Sequence, residues 1–163
     1  MNKKIKYSLD SEFEDFNFLL FGISTTLDQY SVISQINNLL KIDLSLQIII
    51  PYYLKDNGTF NYNLYSCEVP ELFLEFNLIA NLSNFETTPI ASITNDLFTG
   101  HAVEERARLI KELPKTDYFI IVKGEQLYAY ENKIYDKLKQ VNYFTKVQQI
   151  QPDELKSANH LLF

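Results

Sequence analysis

The run Tyr118-Phe119-Ile120-Ile121-Val122, lying between Pro114 and Gly124, constrains this chain more than any other stretch. Five consecutive β-branched or aromatic residues leave no face to turn to water, so the segment belongs in a sheet covered on both sides. Residues 117–123 are therefore expected to form a central strand. Just upstream, Glu104 and Glu105 precede Arg106, Arg108 and Lys111, the charge order a helix dipole favours, and Glu104 and Arg108 stand at i,i+4. This pattern predicts a helix over 102–113, with Val103, Ala107 and Ile110 inward, that stops at Pro114 and feeds the strand.

Around this centre the periodicity marks further elements. Residues 3–9 alternate as a short strand, and Phe16 to Ser24 read as a buried one. Thr26 with Gln29 three positions on predicts a capping box for a helix over 27–41, with Asp28 in its first turn. Its stripe is Tyr30, Ile33, Ile36, Asn37 and Leu40, with Val32 and Leu39 beside it. Residues 44–50 read as a strand, and Pro51 marks its end or a sheet edge. Asp56-Asn57-Gly58 signals a hairpin turn into a strand over 59–67, whose Phe60, Tyr62 and Leu64 face a core. Over 72–82, Leu72, Leu74, Phe76, Leu78, Ala80 and Leu82 share one side and Glu75 and Asn77 point the other way, as in a strand on a core with one face only partly covered. Residues 83–101 read as a loop insertion with at most a short strand at 90–93. Leu127, Tyr130, Ile134, Leu138 and Val141 recur at helical spacing across 126–141. Residues 143–150 alternate as a closing strand, and 151–163 are expected to be a short helix or tail.

Strand–helix–strand order thus occurs twice, at 17–50 and 117–150, around a hairpin-rich middle. The expected fold is a single α+β domain over residues 1–163, a mixed, largely antiparallel sheet carrying about three helices, with part of it compatible with a ferredoxin-like arrangement. The length of 163 residues suits one domain that buries roughly two-thirds of its unfolded surface. Cys67 is the only cysteine, which excludes an intramolecular disulfide and a CxxC site and fits a reducing compartment. The apolar segment at 18–23 is too short, and its flank too acidic, for a signal peptide or a membrane span. A cytoplasmic location is expected, with no membrane partner.

Charge is distributed unevenly. Residues 1–100 carry 5 Lys/Arg and 12 Asp/Glu, a net of −7, and residues 101–163 carry 10 and 9, a net of +1, giving −6 in all. That balance argues against non-specific nucleic-acid binding, which depends on cations neutralising phosphates. Within the C-terminal part, Lys133, Lys137, Lys139 and Lys146 lie among Tyr128, Tyr135, Tyr143 and Phe144. This composition suits a stacking surface for single-stranded nucleic acid, a docking patch for an acidic protein, or an ordinary solvated face.

Candidate catalytic groups are sparse. His101 and His160 have no second ligand at a metal-binding spacing. Gly22-Ile23-Ser24 lacks the second glycine of a nucleophile elbow, so Ser24 to Thr26 read as a helix cap rather than an anion site. The acidic stretch with Glu12, Glu14 and Asp15 has no calcium-loop spacing and reads as a solvated charge run. No cofactor, metal or catalytic residue is predicted.

Ile110, Glu112, Asp117 and Tyr118 nevertheless fall in a nine-residue pattern that resembles the motif of the bacterial IPExxxVDY family, with Lys111 in place of its proline and Thr116 in place of its valine. Phe18 to Leu40 is similar to the same family's strand, turn and helix through Gly22, Ile23, Ser24, Tyr30, Ile36 and Asn37. The resemblance implies a small protein without an assigned activity and carries over no catalytic residue. Glu112 and Asp117 are expected to have structural roles, with Asp117 drawing partners from nearby N–H groups, a helix end at Leu113, or Arg106 or Arg108. The expected function is non-enzymatic binding of another protein. The alternatives are a small-ligand sensor, with its ligand between the first helix and the sheet, and an RNA-associated protein using the 133–146 face.

Overall fold

A computed structural model of the chain describes residues 16–54, 58–84, 86–87 and 104–163. In chain order these form β1 (Leu19–Thr25), α1 (Gln29–Leu40), β2 (Ser45–Leu54), β3 (Gly58–Val69), β4 (Leu74–Ala80), β5 (Glu86–Thr87), β6 (Glu104–Glu105), β7 (Tyr118–Gly124), α2 (Leu127–Leu138) and β8 (Phe144–Ile150). Short 3-10 turns occupy Pro70–Leu72, Pro152–Glu154 and Ala158–Leu161. The expected strand at 3–9, the short strand at 90–93, Val103 and His101 lie outside the described residues.

Six of the described strands make one sheet in the order β2-β3-β4-β7-β1-β8, and β5 pairs with β6 separately. Every adjacent pair among the described strands is antiparallel, so the sheet is not mixed. The reason is connectivity: β7 and β8 run parallel to each other, joined through α2, but β1 lies between them and pairs antiparallel with both. β1 and β4 are likewise parallel with β7 between them. Strand β7 occupies the centre, and all five residues of its apolar run are buried.

The two faces are covered differently. On one, Val32 and Ile36 of α1 and Leu127, Ile134 and Leu138 of α2 pack on Phe21, Ile23, Phe76, Leu78 and Ile120. Each such side chain, fully buried, contributes about 1.5–3 kcal/mol. On the other, Leu20, Tyr62, Leu64, Ile79, Phe119 and Ile121 are covered by Ala107, Leu109, Ile110, Leu155 and Leu161. Among the described residues there are two α-helices, not about three, because this second layer is built from irregular chain and 3-10 turns.

The expected helix over 102–113 is absent from its described part: residues 104–105 are strand, Arg108 bridges to Leu82, and the chain turns at Ile110 to Leu113. Ala107 and Ile110 do face inward, but from an extended segment whose backbone bonds go to Asn81 and Ser83. The C-terminal segment is a covering layer in which Leu161 is fully buried.

Smaller corrections have equally local causes. The cap of α1 is Asp28, whose carboxylate accepts from the Ser31 N–H at 3.0 Å; Gln29 is the first helical residue, so no Thr26–Gln29 capping box forms. Tyr30 is 77% exposed, because burying Val32 together with Ile36 rotates it away from the sheet. Leu72 precedes β4 in a 3-10 turn and is exposed, while the other side of β4 is partly covered, with Asn77 buried and Glu75 half-buried. Helix α2 ends at Leu138, although Val141 beyond it is still buried. Leu54 pairs with Gly58, which places Gly58 in β3 rather than at the centre of a two-residue turn. Pro51 lies within β2, which is at the edge of the sheet among the described strands.

Candidate interaction site

The two segments that resemble the IPExxxVDY family meet at one end of β1 and β7. Strand pairing sets Gly22 opposite Phe119 and Ile23 opposite Tyr118. The Asp117 carboxylate accepts from the Thr25 N–H at 2.8 Å, and the Asp117 N–H donates to the Ile23 carbonyl at 2.8 Å. The Ser24 hydroxyl donates to the Lys115 carbonyl at 2.6 Å, and the buried ring of Tyr118 places its hydroxyl 3.2 Å from the Leu27 carbonyl. Gly22 faces the crowded side of this junction, since a Cβ there would lie 2.8 Å from Ile150 Cδ1 and 3.0 Å from Thr116 Cγ2.

Ile110 and Glu112 serve a second junction. Ile110 is fully buried in the layer opposite the helices. The Glu112 carboxylate accepts from both the Ser157 N–H, at 2.8 Å, and the Ser157 hydroxyl, at 2.9 Å, which ties the C-terminal segment to the 106–116 segment. Desolvation pushes the Glu112 carboxyl up, but hydrogen bonds from its own amide and from Ser157 outweigh it and leave the group below its ordinary value. No helix ends at Leu113 to supply Asp117 with a partner; the Thr25 amide does so.

Asn81, which no sequence pattern singled out, organises the same region. Its Nδ2 donates to the carbonyls of Thr116 at 2.9 Å, Leu113 at 3.0 Å and Ile110 at 3.3 Å, while Oδ1 accepts from the Ile110 N–H at 2.8 Å. A buried amide of this kind substitutes for the missing regular structure of 109–116 by satisfying its backbone.

The expected basic face is divided. Lys133 and Lys137 lie on one flank of the buried stripe of α2, and Tyr135 and Lys139 on the other, where Lys139 Nζ sits 5.1 Å from the Tyr135 ring centroid. Tyr135 also stacks on Phe21. Lys146 pairs with Ser24, and strand alternation turns both to the side of the sheet opposite α2. Tyr143 and Tyr128 are exposed, whereas Phe144 is buried in the core and offers no stacking surface.

Two of these lysines meet a third across an apolar hollow of about 200 Å³. Lys41 closes α1 in a left-handed conformation, and with Leu40 and Ile42 it forms one wall. Val69 and Leu72 form a second wall, Tyr130 and Ile134 of α2 a third, and Leu74 and Phe76 of β4 line it from the sheet. Lys133 and Lys137 complete the lining, in which no described residue is a carboxylate. Only α2's share was legible in sequence, since Lys41, Ile42 and Leu72 arrive from chain far away.

A second surface follows β2. Its ten residues, Ser45–Leu54, carry no charge, and Leu46, Ile48 and Ile49 are each at least 50% exposed. The register shift between Leu46 and Ile48, together with Pro51, interrupts the strand's outer edge.

Other reactive groups are occupied structurally. The His160 Nδ1–H donates to the Leu109 carbonyl at 2.9 Å, and its own carbonyl accepts from the Tyr52 hydroxyl. Cys67 is half-buried, with its sulfur 3.4 Å from the Asp43 N–H. Among the described residues no group of His, Cys, Asp or Glu could hold a metal ion, and no helix is long and apolar enough to cross a membrane. Comparison of the chain with protein-family models, with curated proteins and with solved structures finds no match in any of the three.

Proposed function

We propose that this chain works by binding another protein in the cytoplasm and not by catalysis. The observation that carries the reading is the β2 edge: a strand without charge, in a chain of which 22% is charged, exposing three large aliphatic side chains at half or more of their area. The register sets Leu46 and Ile49 on the helix side of the sheet and Ile48 on the other, so a strand that has no outer partner among the described residues, where edges are ordinarily defended by charge, is left apolar on both faces. Pro51 and the adjacent register shift disfavour a long added strand, so the contact is made chiefly by side chains.

The fold fits a docking role. The order β8-β1-β7-β4, with α1 following β1 and α2 joining β7 to β8, supports reading these strands as a ferredoxin-like core. The β2–β3 hairpin is then an addition that extends the core's sheet by two strands. Membership of the IPExxxVDY family is part of the same proposal, supported by the way its two resembling segments close on each other through Asp117, Tyr118 and Ser24.

The test is affinity purification of the tagged chain from its native cell, beside an Ile48→Lys, Ile49→Lys double variant. A stoichiometric protein partner, retained by the wild type and lost by a folded variant, is the expected result. A monomer that retains a small metabolite, or RNA recovered equally with both chains, would overturn the reading.

A further inference from the structure

The hollow between α1, α2 and β4 combines features that specify an occupant. Its floor and walls are apolar, and the charged residues that line it among the described residues are Lys41, Lys133 and Lys137, with no carboxylate. This is a local cationic ring in a chain of net charge −6. Unlike charges across an interface select partner and orientation, so the ring favours an acidic ligand and disfavours a basic one.

Size distinguishes the kinds of acidic ligand. The volume is about 200 Å³, below the range of roughly 300–1,000 Å³ in which small-molecule sites fall. It matches instead the space taken by a single large side chain, and interface anchors are apolar side chains seated in such pockets with polar groups around them. Lys133 and Lys137, one helical turn apart on α2, line one side, and Lys41, at the end of α1, lines another. Carboxylates on either side of an anchor would therefore meet cations in two directions.

We propose that this hollow receives one large apolar side chain from an acidic segment of a partner protein, with the three lysines pairing with carboxylates that flank the anchor. The inference rests on the protein-binding reading above and adds a second contact to the β2 edge, with its own chemistry.

The probe is a labelled twelve-residue peptide holding one Phe among Asp and Glu, titrated against the full chain by fluorescence anisotropy. Replacing the peptide's Phe by Ala should weaken binding about thirtyfold, the loss typical of a truncated anchor. Lys133→Gln and Lys137→Gln should each weaken it about threefold, more at low salt than at high salt. Leu72→Trp, at an exposed position on the wall, should fill the hollow and abolish binding while the circular dichroism spectrum stays that of wild type.

Equal binding of the Phe and Ala peptides would overturn the proposal in favour of diffuse charge attraction. Displacement by octanoate at concentrations comparable to the peptide would overturn it in favour of a small amphiphile. Self-association relieved by the same lysine variants would overturn it in favour of a second copy. Absence of peptide binding, while Ile48→Lys, Ile49→Lys still releases a cellular partner, would remove the hollow and leave the β2 reading intact. Loss of that partner reading with anchor-dependent peptide binding retained would do the reverse.

Discussion

Replacing Asn81 by Leu keeps a side chain of similar size and removes every polar atom beyond the backbone. The Ile110 N–H then loses its acceptor, and the Thr116 carbonyl loses the only donor it has among the described residues. The Ile110 and Leu113 carbonyls are less affected, because each also accepts a turn bond, from Leu113 N–H at 3.3 Å and Thr116 N–H at 3.1 Å. Two orphaned buried groups at about 1–3 kcal/mol each give a loss of roughly 2–6 kcal/mol. Set against a domain stability of about 5–15 kcal/mol, that is a large fraction. The melting temperature should fall by roughly 5–20 °C.

Asn81→Asp separates hydrogen bonding from packing, since the shape is conserved. An ionised carboxylate there would keep the Ile110 N–H but face three carbonyl oxygens, so its pKa in the folded chain must rise above the unfolded value of about 3.9. With the folded pKa raised, the variant retains its stability below that unfolded value and loses it as pH climbs through the folded pKa. It should therefore approach wild type near pH 4 and fall well below it at pH 7. The chain has no tryptophan and 11 tyrosines, so urea unfolding is followed by tyrosine fluorescence and far-ultraviolet circular dichroism. A wild-type urea midpoint for Asn81→Leu, or a gap for Asn81→Asp that does not change with pH, would refute the role given to Asn81.

Other sites make separate predictions. Asp117→Ala removes the acceptor of the Thr25 N–H and should cost about 1–3 kcal/mol in urea unfolding, while Lys137→Ala changes stability by less than about 0.5 kcal/mol; a wild-type melt for Asp117→Ala together with lost partner binding would assign Asp117 to a site. Burial, reinforced by Tyr52, pushes the Tyr62 hydroxyl up to about 12. Its contribution to stability is intact below the unfolded pKa of about 10 and is lost as pH rises through the folded value. Tyr62→Phe should accordingly flatten the loss of stability above pH ~10, at a neutral-pH cost of about 0.5–1.5 kcal/mol for the bond to the Ala107 carbonyl; an unchanged alkaline slope would contradict this. Gly124 has φ of 140°, and a Cβ there would fall on the Phe73 carbonyl oxygen. Gly124→Ala should thus cost more than ~2 kcal/mol and Gly22→Ala less, because the latter meets chiefly the flexible end of Ile150; the reverse order in thermal melts would argue against it. Cys67→Ser should change stability by under about 1 kcal/mol and leave partner binding intact, a larger loss on either readout being contrary evidence.

The centre of this fold was written into the chain at Tyr118 to Val122, because an unbroken apolar run has the same requirement in any context: cover on both faces. The stripe of α2 was equally legible, since Leu127, Ile134 and Leu138 recur at the helical period and any packed helix must bury them. Pro51 left a strand end or a sheet edge open, because a proline cannot donate in a paired interior strand, and it is the edge that the described strands show. Over 104–113 the local signals pointed to a helix, but charge order and an i,i+4 pair contribute only about 0.2–0.5 kcal/mol each. The backbone bonds supplied by Asn81 and Ser83, with burial of Leu109 and Ile110, outweigh them. For Tyr30 the sequence left two rotations of α1 open, and the choice fell to whichever side chains the sheet could receive. The divided basic face has the same origin: the strand pairing of Lys146 with Ser24 sets which side of the sheet it occupies, and spacing along the chain carries no such information. The lysine-rimmed hollow was out of reach for that reason too, since it exists only where the end of α1, the turn before β4 and one flank of α2 converge. Local sequence fixes what a segment must hide; which segments hide it from water, and what they leave exposed beside one another, depends on contacts between residues far apart in the chain.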